Sequence, residues 1–330
     1  MKILVTGSNG FIGYHLCRRL LEEYNYSIIG IDNMNDYYDV NLKEYRLNNL
    51  NKYDNYTFIK GDISDKQFVD KLFKDNKFDI VINLAAQAGV RYSIENPDVY
   101  IKSNIIGFYN LLETLRHNKV DHFIYASSSS VYGGNTKIPF STEDKVDTPV
   151  SLYAATKKTD ELLAYTYSHL YDIKMTGLRF FTVYGPMGRP DMAYYSFTEK
   201  LLNNEKIKIF NYGKCQRDFT YIDDIVEGII RIINKGPINN YNLYNIGNNH
   251  PENLMDFVYT LGQAMKDNDL LDKDFNIDEH MELVAMQAGD VETTYADTAP
   301  LQKDYGFKPN TSLKEGLNKF CMWYKEYYKR

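Results

Sequence analysis

Cysteine is scarce in this sequence. Cys17, Cys215 and Cys321 are odd in number and far apart along 330 residues, which excludes a disulfide framework and a CxxC metal knuckle. The six histidines are scattered, so no zinc or iron site is suggested. No apolar run is long enough to span a membrane. No secretory leader is expected either, because Met1 is followed directly by a strand pattern. Excess positive charge is also missing: the formal net charge is −6, which argues against nucleic acid or an anionic membrane as the main partner. A phosphorylated small molecule stays compatible, since it needs only one local pocket of Arg and backbone N–H groups. These absences predict a cytoplasmic protein with no metal, nucleic acid or membrane partner.

The chain is long enough for one large domain with a satellite. Strand-like runs at 2–6, 27–31, 56–60, 79–85, 122–127 and 174–181 alternate with helical patterns over 11–24, 64–76, 97–118 and 152–171. Such alternation, with strands that are almost continuously apolar, predicts an α/β fold: a Rossmann-type doubly wound parallel sheet covered on both faces. Cys17 falls within the first amphipathic helix and reads as a buried, inert thiol. After about residue 181 the rhythm changes to Gly- and Pro-rich loops, with one further strand at 242–247 placed to rejoin the sheet. The expected division is a dinucleotide-binding domain over 1–181, rejoined by 222–248. A smaller mixed α/β substrate-binding domain would come from 182–221 and 249–330.

The stretch ILVTGSNGFIGYHL holds Gly7, Gly10 and Gly13 in a GxxGxxG spacing, where a strand ends and an amphipathic helix begins. A lone glycine triplet says little, but at the start of a strand–helix alternation it reads as a dinucleotide loop. Gly7 would permit the tight turn and Gly10 the approach of a pyrophosphate. Gly13 would let helix pack on strand, with the helix N-terminus facing the anion. A plain structural turn is the alternative. Asp32 ends the next strand, where it can hydrogen-bond both hydroxyls of the adenosine ribose and would repel a 2′-phosphate. No Arg or Lys follows it directly, so NAD is expected rather than NADP. Asp62 and Ile63 stand where they would meet the adenine or, equally, where Asp62 caps a helix.

Tyr153 and Lys157 form Tyr-x-x-x-Lys, which on a helix puts both side chains on one face. An ammonium beside a phenol stabilises the phenolate and makes tyrosine a workable general base. In a chain with 30 tyrosines the pattern alone is cheap, and Tyr56 with Lys60 matches it on a strand. Position raises Tyr153. It starts the helix after the fifth strand, and the run ASSSSVYG (126–133) closes that strand at the sheet edge where ligands bind. Ser127 reads as the strand's last residue, and a hydroxyl just beyond it can share a substrate proton with the phenol.

In this order the glycine loop, serine run and Tyr-x-x-x-Lys resemble the extended short-chain dehydrogenase/reductases over essentially the whole chain. LAAQAGVRYS (84–93), YASSSSVYG (125–133), LYAATKK (152–158), LRFFTVYGPMGRPDMA (178–193), RDFTYIDDIVEG (217–228) and MQAGDV (286–291) narrow the resemblance to UDP-glucuronate 4-epimerases. That resemblance implies C4 oxidation of a UDP-sugar by tightly bound NAD, rotation of the 4-keto sugar, and reduction on its other face. Tyr153 would be the base and Lys157 its partner, also holding the nicotinamide ribose. Phe11, Ile12 and Leu84 would join the cofactor contacts. Alignment of Val131-Tyr132-Gly133 with the family tripeptide puts the catalytic hydroxyl at Ser128.

Ser129 and Ser130 then occupy positions where sugar-nucleotide dehydratases look to carry an Asp-Glu pair. Neutral hydroxyls cannot run that elimination, but they can donate to a substrate carboxylate. Arg189 matches the family arginine that grips the carboxylate, with Thr182 where many relatives carry Asn. Arg217 matches a diphosphate-binding arginine, Phe210 would serve as a platform for uracil, and Asp290 would meet the uridine ribose or make a structural turn. Gln287 stands where galactose-type epimerases carry a second arginine. Arg91 is either an active-site cation or a solvated loop residue. A UDP-glucuronate decarboxylase, or an epimerase of an N-acetylated uronate, fits much of the same pattern. A dinucleotide sensor would be expected to lose part of the Ser–Tyr–Lys set, all of which is present. The helices at 97–118 and 152–171 resemble those that pair in family dimers, so a homodimer is expected, although their faces also fit intrachain packing.

Overall fold

The structure, a computed structural model, describes residues 1–286 and 292–330. Strands form where aliphatic residues run unbroken: β1 (Lys2–Thr6), β2 (Ser27–Asp32), β3 (Tyr56–Lys60), β4 (Ile80–Asn83), β5 (His122–Ser128) and β6 (Met175–Phe180). Beyond them come β7 (Thr182–Tyr184), β8 (Ile207–Ile209), β9 (Gln216–Tyr221) and β10 (Tyr241–Ile246). The main sheet has seven parallel strands in the order β10-β6-β5-β4-β1-β2-β3. Its order reverses between β1 and β4, which opens a crevice at the C-terminal strand ends. A three-stranded sheet joins β7 and β9 to β11 (Pro251–Asn253), and β8 pairs with β12 (Met281–Leu283).

The alternation of side chains along a strand explains the two covering layers. In β1, Ile3 and Val5 face a cluster with Leu16 and Leu20 of α1 (Phe11–Tyr24) and Leu42 and Leu50 of α2 (Val40–Leu50). Leu4 faces the opposite cluster, with Val69 of α3 (Lys66–Asp75), Leu111 of α4 (Gly107–His117) and Ala164 of α5 (Leu152–Tyr171). The first cluster continues without a break into Ile225 and Ile229 of α6 (Ile222–Lys235) and Phe320 of α7 (Leu313–Tyr328). Cys17 lies in this core, and burial pushes its thiol far above the usual range.

Among the departures from the sequence-based expectation, three bear on the site. β5 runs one residue further than expected, through Ser128. The pattern at 97–118 is not one regular helix, because Ile101–Ile106 is a π-helical stretch. The side chain of Asn104 there accepts from the Gln87 N–H (2.8 Å) and donates to Gln87 O and Thr156 Oγ1 (both 3.0 Å). The widened turn thus points a buried amide inward and pins the loop after β4 to α5. Finally, α2 was not anticipated. Its inward-facing positions include Lys43 and Arg46, which interrupt the apolar stripe that marks a helix.

Candidate active site

A cavity of about 880 Å³ runs along the C-terminal ends of the strands, and every expected site residue among the described ones lines it. Asp290 and Gln287 lie outside the described residues.

At one end the chain builds a cradle for a dinucleotide. Gly7 has φ +71°, and both its N–H and that of Ser8 bond to Ile31 O at 2.7 and 3.1 Å. A Cβ on Gly13 would lie 2.1 Å from Gly7 O, so only glycine lets α1 start this close to β1. The first intrahelical bond runs from Tyr14 N–H to Gly10 O at 3.0 Å. The N–H groups of Phe11, Ile12 and Gly13 therefore precede the helical ladder, at its positive end, where a pyrophosphate is best held. Asp32 is buried at the tip of β2, where its carboxylate accepts from Asn9 N–H (3.2 Å) and Met34 N–H (2.9 Å). The residues present fit NAD: a bare glycine turn, an open helix end, and an acid at the ribose position.

Asp62 does not cap α3; Asp65 does, accepting from Phe68 N–H at 3.1 Å. Asp62 instead accepts from Ser64 N–H (2.8 Å) and Ser64 Oγ (2.7 Å) and lines the cavity beside Ile63. Burial raises its carboxyl, but those donors and Asn33 bring it below the usual range.

Lys43 and Arg46, both from α2, were missed in the sequence. The Lys43 ammonium lines the cavity and donates to Asn35 O (2.7 Å) and Asn35 Oδ1 (2.9 Å). Arg46 is fully buried. Its guanidinium bonds Asn9 O (2.8 Å), Tyr38 OH (2.7 Å), Met187 O (2.5 Å) and Gly188 O (3.2 Å). One side chain thus ties the glycine loop to the segment that carries Arg189. An acid–Val–x–Leu start with Leu42, Arg46 and Leu50 four apart was the available signal for this helix.

At the centre lie Ser128, Tyr153 and Lys157. Ser151 caps α5 by accepting from Ala154 N–H at 3.1 Å, which places Tyr153 in the first turn, facing the end of β5. The Tyr153 ring meets Tyr100 edge-on, with centroids 6.0 Å apart. Ser128 Oγ accepts from Ser130 N–H at 3.2 Å, which leaves its own O–H to donate. Ser127 plays a separate part. Its hydroxyl donates to Glu161 Oε1 at 2.6 Å, and Arg179 grips the same carboxylate with two bonds of 2.8 Å.

On the far wall Arg189 is already engaged. Its guanidinium meets the Asp191 carboxylate through Nε–Oδ1 at 3.0 Å and Nη2–Oδ2 at 2.5 Å, and Tyr37 OH donates to Asp191 at 3.3 Å. Burial raises the Asp191 carboxyl, but Arg189 holds it below the usual range. Thr182 opens β7 beside the serine pair. Arg217 Nη1 is steadied by Gln216 O and Glu292 O, both at 2.9 Å. The Arg91 guanidinium lies over the Phe210 ring, 5.3 Å from its centroid, so Arg91 lines the cavity and covers the expected uracil platform.

Replacing Arg46 by Met leaves buried carbonyls on both loops without a donor. The variant should lose about 3 kcal/mol of stability in denaturant titration and carry less bound NAD after purification. Native stability with full NAD would show that Arg46 does not join the two loops.

Residues 3–247 match the family model described as the NAD dependent epimerase/dehydratase family. The chain is 49% identical to Protein CapI of Staphylococcus aureus over the full length of both. It is 45% identical to UDP-glucuronate 4-epimerase 4 of Arabidopsis thaliana, covering 99% of this chain and 76% of that one. Among solved structures, UDP-glucuronic acid 4-epimerase from Bacillus cereus in complex with UDP-glucuronic acid and NAD superimposes with a TM-score of 0.89. That match has 33% identity and covers 99% of this chain and 100% of the other. A glycine cradle, a Tyr–Lys helix and a shared core with such relatives lead to one conclusion: the chain belongs to the NAD dependent epimerase/dehydratase family.

Proposed function

We propose that this chain is an NAD-dependent UDP-glucuronate 4-epimerase, interconverting UDP-glucuronate and UDP-galacturonate. One observation carries the reading. A single cavity joins the glycine cradle to Ser128, Tyr153 and Lys157, beside neutral Ser129 and Ser130 where elimination would need acids. Residues 1–181 with 222–248 would bind the cofactor, and 182–221 with 249–330 the sugar nucleotide.

The Gly7–Gly13 turn, the open start of α1 and Asp32 would hold NAD, which would supply a reversible hydride acceptor for sugar C4 with no net redox change. The remaining work falls to this chain. Tyr153, as phenolate, accepts the O4 proton, and the Ser128 O–H donates to the same oxygen. Lys157 already donates to Ala126 O (3.0 Å) and Asp160 Oδ2 (3.2 Å); its third N–H would serve the nicotinamide ribose, and its charge favours the phenolate. After the 4-keto sugar has turned over in the cavity, Tyr153 gives the proton back to O4 while C4 is reduced on its other face. Arg217 would hold the diphosphate, with Phe210 and its Arg91 cover bordering the uracil.

The carboxylate needs a clamp for a chemical reason. Oxidised at C4, a uronate is a β-keto acid, and it loses CO₂ when the carboxylate bond stands perpendicular to the ketone. Ser129, Ser130 and Thr182 would donate to the carboxylate, and it would take the place of Asp191 in the Arg189 fork. That fixed torsion would let epimerisation win.

We also infer a homodimer. Ile106 and Tyr109 are 45% and 43% exposed, and Leu162 and Tyr165 of α5 57% and 58%. Such an apolar face on neighbouring helices is what a subunit interface covers. No helix among the described residues is long and apolar enough to cross a membrane. Three free, buried cysteines suit a reducing compartment, so we place the protein in the cytoplasm.

Incubated with UDP-glucuronate and no added NADH, the protein should yield UDP-galacturonate near equilibrium by NMR. CO₂ with a pentose product would move the assignment to a decarboxylase, and no turnover would point to an N-acetylated uronate. Arg189→Ala or Thr182→Ala should release 4-keto-pentose on the order of tenfold faster than the native enzyme; if neither leaks, the clamp is wrong. Leu162→Asp combined with Tyr165→Asp should sediment as a monomer, whereas an unchanged sedimentation coefficient would place any interface elsewhere.

A further inference from the structure

Lys157 has a carboxylate partner outside the Ser–Tyr–Lys set. Its Nζ donates to Asp160 Oδ2 at 3.2 Å, and both side chains are sealed from solvent, at 3% and 1% exposure. The second oxygen, Asp160 Oδ1, is buried with no hydrogen-bond partner. The neighbouring Glu161 provides the contrast, since Ser127 and both arms of Arg179 satisfy its carboxylate. A structural acid in a core is normally paired in the manner of Glu161. Asp160 is held by one strong donor only, and that donor is the ammonium on which Tyr153 depends.

We propose that Asp160 is a positioning residue for this epimerase. It holds the Lys157 ammonium against the end of β5 and offsets part of the charge that Lys157 lends to the Tyr153 phenol. The proposal rests on the function assigned above. It concerns how strongly the base is driven, not which sugar is bound.

The groups around Asp160 leave this role to it. On α5, Glu161 is neutralised by Arg179 from β6, with Lys158 3.6 Å from the same carboxylate. Tyr125 of β5 and Tyr241 of β10 hydrogen-bond each other at 2.9 Å. Burial raises both phenols far above the working range, so they stay neutral. Asp160 differs. Burial pushes its carboxyl up, against the pull of Lys157, to about 7. Apart from the Tyr153 base itself, it is the group facing Lys157 from these elements whose carboxyl burial lifts toward neutrality. As pH rises past that point, the carboxylate would mask the ammonium; below it, Lys157 would act on the phenol in full.

The deciding readout needs no substrate. Protein with NAD bound and ¹³Cζ-labelled tyrosine is titrated by NMR, and the Tyr153 signal is assigned by its loss in Tyr153→Phe. In Asp160→Asn, which keeps the shape and removes the charge, the Tyr153 midpoint should fall by on the order of one pH unit. Asp160→Ser is a second neutral variant should the first not fold, and Asp160→Glu should return the midpoint toward the native value. The acid limb of kcat/KM should move with it. A purely structural Asp160 would lower activity evenly across pH and leave the midpoint in place. A midpoint unmoved or raised in a folded neutral variant overturns the proposal, and it does so whatever the sugar proves to be.

Discussion

The site depends on where α5 sits, and a buried ion pair holds it there. Glu161 reaches Arg179 of β6 through two 2.8 Å bonds and Ser127 of β5 through one of 2.6 Å, with Glu161 and Arg179 each 2% exposed. Arg179 also lies over the Tyr132 ring, 4.8 Å from its centroid. Removing one member would leave an uncompensated charge in the core, which costs about 3–5 kcal/mol. The pair is weak evidence for net stability, since apolar residues could fill the same space. What it provides is register. It lies two helical turns beyond Tyr153, so the helix cannot slide or rotate without breaking it.

From that fixed helix the chemistry follows. The four serines at and just beyond the end of β5 take different roles. Ser127 joins the ion pair, Ser128 presents its hydroxyl, and Ser129 and Ser130 line the cavity without charge. The ion pair on the opposite wall is more open to solvent. Arg189 is closed on Asp191 and steadied from below by Arg46 through the carbonyls of Met187 and Gly188. An arginine already seated on a carboxylate is pre-shaped for another, at the cost of exchanging one for the other.

Much of this was legible in the sequence because each feature has a local cause. Apolar runs set the strands, and the glycine spacing set the turn, since Gly13 tolerates no side chain beside Gly7 O. Tyr153 and Lys157 were readable because a helix brings positions four apart onto one face. What could not be read depended on tertiary contacts. α2 hides because buried Arg46 and Lys43 break its apolar stripe, and each is satisfied by carbonyls outside the helix. The π-helical stretch at Ile101–Ile106 exists because Asn104 finds partners at Gln87 and Thr156, 17 and 52 residues away. The same holds for Asp62, which is exempt from capping α3 only because Asp65 does so.

In this mechanism the hydride leaves C4 and returns to that same carbon without meeting solvent. UDP-glucuronate deuterated at C4, incubated with the purified protein in ordinary water, tests it directly. The account predicts UDP-galacturonate that retains deuterium at C4 throughout approach to equilibrium. Protium from water at C4 of the product would contradict it.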